Sequence, residues 1–197
     1  MIDRVRYFLA VLCVITLPPG LFYWFVIHPW ARRWRKLGPL RTYLIVLPVV
    51  VAFGGLLFRV RERLLGPDLG LHWSLLSIAV VLYAGVTWLE LQYWKHLSIA
   101  TATGFQELSP GPQGKLLQDG IYRVVRHPRY LSAGIGVIAN SLIIDYAGIY
   151  VLILLLFPMG YVMLVFEERE LLDRFGEEYR QYQQEVPRIL PRFHRAK

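Results

Sequence analysis

The sequence predicts an all-α integral membrane protein: about five transmembrane helices, the last two forming a tight hairpin, plus a cytoplasmic amphipathic C-terminal helix. Three observations carry this. Of 197 residues, 55% are hydrophobic and only 18% charged, against an apolar share of roughly 45–50% in a soluble domain. The apolar residues fall into five blocks, each near the roughly 20 residues that a membrane-crossing helix needs. Lys and Arg gather at the ends of those blocks, as membrane flanks do.

The first block, 7–27, runs between Arg6 and His28 and contains Pro18 and Pro19, which should bend it. It is long for the apolar part of a signal peptide, and no small-residue cleavage site follows, so a retained helix is expected. The second, 42–58, lies between Arg41 and Arg59; the third, 73–94, holds one acid, Glu90, near its end. The fourth, 130–144, is short. Only Asp145 and Tyr146 separate it from the fifth, 147–166, so those two should form the hairpin. Five such blocks leave too little polar chain to cover a core in water.

With five spans, the 28–41 loop, the 95–129 loop and the C-terminal tail share one side. They carry seventeen Lys and Arg, against five on the other. The positive-inside rule then puts the N-terminus outside and the C-terminus, with the long loop, in the cytoplasm. The net charge of +8 is mainly this topology signal, with some attraction for anionic lipid heads. Basic residues spread over membrane flanks do not make a nucleic-acid surface. Cys13 stands alone inside the first block, so neither a disulfide nor a metal site is expected. The chain divides near residue 95: three N-terminal spans in 1–95, then loop, hairpin and tail in 96–197, where chemistry is expected.

The segment RVVRHPRYLSAGIG, 123–136, sets charge directly before an apolar run. "SPGPQG" at 109–114 and "QDG" at 118–120 supply turn chemistry ahead of it. Pro128 suits the first position of a helix and disfavours helical backbone at His127, so the fourth span should start at Pro128 or Arg129 with His127 near its cap. A helix N-terminus offers unpaired N–H groups and about half a positive charge, and Arg126 and His127 stand at that mouth. Gly134 and Gly136 lie roughly 9–12 Å further along at 1.5 Å per residue. Small residues there let another helix, or a ligand, approach the backbone.

The fifth span returns to the same side and ends at Glu167 and Glu168, at the depth where the fourth begins. A basic mouth facing paired acids can hold a zwitterion. Beyond it, Leu171, Phe175, Tyr179, Tyr182 and Val186 recur at helical spacing and read as an amphipathic helix along the membrane surface, weakened at Gly176. "VPRILPRF" then leaves the helix, and Arg188 is placed to fold back over the site. The same residues also suit plainer roles: arginines as positive-inside anchors, Arg123 and Arg129 first among them, and the acids as ordinary helix-end residues. Glu90 faces the site, reaches the interface or pairs with Lys95.

"GIYRVVRHPRYLSAG", followed some thirty residues later by "EERELLDRFGEEYRQYQQEVPRILP", resembles the isoprenylcysteine carboxyl methyltransferase family over about the last eighty residues. The first hundred match only as hydrophobic spans. Phospholipid N-methyltransferases are similar, holding S-adenosylmethionine with a G-x-G and an E-E pair, and Gly134-Ile135-Gly136 and Glu167-Glu168 stand in those places. The resemblance implies S-adenosylmethionine as methyl donor, bound between the last two spans and the tail. It implies that His127, Tyr130 and Glu167 hold the donor's amino-acid end, with Leu116, Leu117 and Tyr122 flanking the adenosine. Relatives often have a His where this chain has Gly114, and a Gly where it has Ser132.

The acceptor implied is lipophilic or prenylated and enters from the bilayer; an isoprenyl-type carboxylate is favoured, a phospholipid amine or a thiol the alternatives. Methyl transfer from a sulfonium is an in-line displacement, so alignment is the main demand. A carboxylate needs no base, and Arg126 or Arg188 would orient it bidentately. An amine or thiol must lose a proton, for which Glu167, Glu168 or Glu90 are candidates. Two rival readings remain. Membrane sterol and steroid double-bond reductases carry a similar R-H-P-x-Y and use NADPH, and a non-catalytic membrane scaffold would retain the fold. The short chain, the Glu pair and F-G-E-E-Y fit the methyltransferases better.

Overall fold

The computed structural model describes residues 1–97, 108 and 115–191. Among these, every element beyond one isolated bridge between Asp68 and Tyr146 is helical. Helix α1 (Ile2–Ile27) passes through a 3-10 turn (His28–Trp30) into α2 (Ala31–Leu37). Gly38, at φ +80°, breaks the run, and α3 (Pro39–Arg59) starts with proline at its first position. A short α4 (Arg61–Leu65) precedes α5 (Trp73–Tyr93). Then come α6 (Pro128–Ile144), α7 (Ala147–Phe175) and α8 (Glu177–Glu185).

Four stretches are long and apolar enough to cross a membrane: Ile2–Leu37, Pro39–Arg59, Trp73–Tyr93 and Ala147–Phe175. Large apolar side chains on them, among them Leu44, Val51, Val81 and Leu154, point outward rather than into the bundle, as they do where the surroundings are lipid. By length and composition these helices are compatible with a multi-pass membrane protein. The fourth expected block forms a 17-residue helix, about 26 Å long at 1.5 Å per residue.

One element differs from expectation. Helix α7 does not end at Phe166 but continues through Glu167 and Glu168 to Phe175. The amphipathic stripe after Glu168 is therefore split between the end of α7 and α8. Gly176, at φ +56°, makes the break, because glycine enters the left-handed region without a Cβ penalty. Leu171, Leu172 and Phe175 pack with Tyr179, Tyr182, Val186 and Leu116 into one cluster across it.

Packing follows from small and special residues. Helix α5 lies along α6 in the most extensive helix pair, and α1 packs on both α3 and α7. Pro19 has no N–H, so the Ile15 carbonyl loses its helical partner. A Cβ at Gly54 of α3 would stand 3.1 Å from that carbonyl oxygen. Glycine lets α3 close on it.

The hairpin end is fastened by polar groups. Arg6, 2% exposed, donates to the carbonyls of Ile144 (3.2 Å) and Gly70 (2.6 Å) and to Asp68 Oδ2 (3.3 Å). Asp145 ends α6 at φ +51° and takes the Tyr150 hydroxyl at 2.9 Å, with His72 Nδ1 2.7 Å from its other oxygen. A Cβ at Gly148 would lie 1.7 Å from the Leu64 carbonyl oxygen, so only glycine fits there. With the hairpin closed in this way, the start of α6 and the last turns of α7 meet at the opposite end.

Candidate functional site

Pro128 opens α6 and His127 occupies its N-cap with non-helical backbone, as the sequence predicts. The Arg126 and His127 N–H groups point back to the tail, donating to the carbonyls of Pro187 (2.9 Å) and Arg188 (3.0 Å). The chain after α8 is thereby laid against the mouth of α6. Arg188 does fold back.

Glu168 sits at the centre, its side chain 4% exposed. Arg126 donates to Oε1 through Nη2 at 2.6 Å and Nε at 3.0 Å. Arg188 Nη2 donates to Oε2 at 2.6 Å, joined there by Gln183 Nε2 at 3.3 Å. His127 Nε2 lies 3.2 Å from Oε1. Arg126 Nη1 also donates to the carbonyls of Gln183 and Val186. One buried carboxylate is thus neutralised by two guanidinium groups on two chain segments, a clasp joining α6, α7 and the tail.

Glu167 is turned elsewhere. Its side chain is 26% exposed, and His127 Nδ1 stands 3.9 Å from Oε1, too far for a hydrogen bond. His127, Tyr130 and Arg129 act on it electrostatically. Among the described residues no ion pair brings a guanidinium within 4 Å of it, so it keeps acceptor capacity that Glu168 has spent. Tyr130 stands edge-on to the His127 ring, centroids 5.7 Å apart. Among the described residues Arg188 Nε is buried without a hydrogen-bond partner, while its Nη1 donates to the Tyr161 hydroxyl at 2.7 Å.

Further along α6, a Cβ at Gly134 would lie 3.7 Å from the Phe157 ring, and one at Gly136 3.9 Å from Val86. Both are ordinary contact distances, so helix packing alone would admit alanine at either place. Leu116 joins the Tyr179, Tyr182 and Val186 cluster, and Leu117 packs with Tyr93, Leu97 and Tyr122. The Tyr182 hydroxyl donates to the Tyr122 carbonyl. Burial pushes the Tyr122 phenol up to about 12. Gly120, at φ +61°, leaves the space that the His96 ring fills, 2.3 Å from where its Cβ would be. The turn expected over 109–114, with Gly114, lies outside the described residues. Glu90 is exposed on α5, and Lys95 donates to Gln92 instead, at 3.3 Å. Arg123 is an exposed partner of Asp119.

Sequence reasoning missed a third acid, Glu170. It is buried, with His28 Nδ1 2.6 Å from Oε2 and Arg35 Nη2 donating to Oε1 at 2.6 Å. At about 100° per residue, Glu170 and Glu168 face nearly opposite sides of α7. The signal was the spacing in "EERE", together with a His at the end of the first block. Among the described residues no group of His, Cys, Asp and Glu could hold a metal ion.

The profile of the phospholipid methyltransferase family matches residues 75–178, more than half of the chain. The chain belongs to this family of membrane methyltransferases. The family match covers α5 from residue 75, all of α6 and α7 and both members of the Glu pair, while Gln183 and Arg188 lie just beyond it. Methanethiol S-methyltransferase 1 of Bradyrhizobium diazoefficiens is 35% identical over an alignment 78 residues long that covers 36% of this chain and 24% of that protein. The chain thus spans about a quarter of that relative's length. No solved structure matches.

Proposed function

We propose that this family member transfers a methyl group from S-adenosylmethionine to a lipophilic acceptor at the membrane, an isoprenyl-type carboxylate first among acceptors. The observation that carries the donor site is the contrast within the Glu pair. Glu168 is saturated by Arg126 and Arg188, whereas Glu167 keeps free acceptor capacity beside His127 and Tyr130. A donor ammonium is a suitable partner for Glu167, and the orphaned Arg188 Nε is suited to its carboxylate. Gly134 and Gly136, small where packing does not require it, leave room for the rest of the donor, with Leu116, Leu117 and Tyr122 flanking the adenosine. Once bound, the donor supplies an electrophilic methyl group on a sulfonium; the chain's task is alignment.

The acids available favour an acceptor that needs no base. Glu168 and Glu170 are both tied to arginines, and Glu167 is reserved for the donor. A carboxylate is nucleophilic as it stands, a thiol with a pKa near 8.5 is partly so at neutral pH, and an ammonium is not. Arg126 acts in this reading by holding Glu168 and the tail rather than by gripping the acceptor. The thiol acceptor is the second reading, favoured by the similarity to a methanethiol methyltransferase. Family membership favours methyl transfer over the NADPH-reductase and scaffold alternatives.

The topology belongs to the same reading: α6 as the short fourth of five spans, the N-terminus outside, and the site, the tail and α8 on the cytoplasmic side, with α8 along the membrane surface. Calorimetry with S-adenosylmethionine tests the donor site. Purified wild-type protein should bind it, and NADPH should give no heat. Binding of NADPH instead would reject the reading. Labelled transfer into farnesylated cysteine, a long-chain thiol and phosphatidylethanolamine then ranks the acceptors, in that order.

A further inference from the structure

Helix α7 has a second polar face, turned away from Glu168, and it opens on a cleft of about 640 Å³. We propose that this cleft, between the α1–α2 turn and the last turns of α7, binds a phosphate-class anion such as an anionic lipid headgroup, at a site separate from the methyl-donor site. Its walls carry Arg32, Arg33, Arg35, Arg169, Glu170 and Asp173. Four guanidinium groups therefore face two carboxylates, and both carboxylates are already answered. Glu170 has His28 and Arg35, each at 2.6 Å; Asp173 has Arg32 at 2.9 Å.

Arg33 and Arg169 are left over. Both are exposed, and among the described residues neither has an acidic partner. Arg169 is not loose, since its guanidinium lies 5.7 Å from the Phe166 ring centroid, in cation–π range. Guanidinium forks match the paired oxygens of a phosphate better than any other side chain. The volume falls within the ~300–1,000 Å³ usual for small-ligand sites. Trp30, 48% exposed, stands on the rim, and tryptophan is the residue that settles at the level of lipid headgroups. Buried His28 and Glu170, with partly buried Arg35 bonded to Glu170, form the floor beneath the two spare cations. An anion seated there ties α2 to α7 beside the mouth of α6.

The test uses the full chain in a neutral detergent. Thermal unfolding is followed during separate titrations with dihexanoyl phosphatidylglycerol, dihexanoyl phosphatidylcholine and inorganic phosphate, on wild type and on Arg33→Gln/Arg169→Gln. Phosphatidylglycerol should raise the midpoint of the wild type in a saturable way, and the double variant should need at least about tenfold more of it, since each basic residue is worth about 1 kcal/mol to an anionic headgroup. The single variants, at exposed positions, should fold and fall between. A matching arginine-dependent shift with inorganic phosphate would make the ligand a free anion; a shift with phosphatidylglycerol alone would make it a lipid headgroup. Either supports the site. No shift, an equal shift with phosphatidylcholine, or a shift untouched by the substitutions overturns it.

Discussion

Arg188 Nη2 donates to Glu168 Oε2 across 2.6 Å, so the segment after the last helix is anchored on a carboxylate that Arg126 holds from the other side. Removing that carboxylate leaves two guanidinium groups facing each other at a largely buried centre. Breaking a buried pair from one side costs about 3–5 kcal/mol. Glu168→Ala should therefore unfold at markedly lower temperature in detergent and lose protection of the tail from protease. Unchanged melting would mean that the clasp is not what holds the tail.

Glu167→Gln should behave differently although it is the adjacent residue. With no guanidinium to strand, the variant should melt like the wild type. It should bind S-adenosylmethionine about 10–100-fold more weakly, the size expected when a charge-assisted hydrogen bond of about 1.5–3 kcal/mol is removed. Calorimetry on both proteins reads this directly. Equal affinity would remove Glu167 from the donor site.

Glycines separate structural from functional need. Gly148→Ala puts a methyl 1.7 Å from the Leu64 carbonyl oxygen, a clash with backbone that no rotamer relieves, so the folded yield should collapse. Gly136→Ala meets Val86 at 3.9 Å and should keep full thermal stability while weakening donor binding. Folding by both variants with equal donor affinity would contradict the account of each.

Alkali should loosen the α8 side of the site. Burial is the main reason the Tyr122 phenol is raised from 10.0 to about 12; nearby Arg129 opposes the shift and Glu167 adds to it. A raised phenol contributes stability that is fully present below its ordinary value and is lost as pH climbs through its folded one. Loss of helical signal should thus set in between about pH 10 and pH 12, and Tyr122→Phe should shift that loss upward. An identical alkaline profile in the variant would sink this assignment.

The parts of this fold that lie in local order were legible. Pro128 marks the start of α6 and His127 its cap, and the two residues between the last apolar blocks predict the hairpin. Equal depth of Arg126 and the Glu pair follows from an antiparallel hairpin with its site at the open end. What the sequence could not separate was the direction of each acid. Glu167, Glu168 and Glu170 look alike in "EERE", and only the neighbours on each side of α7 make one open, one clasped by Arg126 and Arg188, and one paired with His28 and Arg35. Arg6 read as a flank, yet it is buried on backbone carbonyls more than a hundred residues away. Gly176 read as a weak point in one helix and proved to be a turn, because a single φ decides between the two.

Transfer of labelled methyl from S-adenosylmethionine tests the central claim most directly. Wild-type protein in lipid vesicles should label a farnesylated cysteine acceptor, and Glu167→Gln, folded to the same extent, should do so at least about tenfold more slowly at limiting donor. Full activity in Glu167→Gln, or a folded wild-type protein that labels no carboxylate, thiol or amine acceptor, would contradict it.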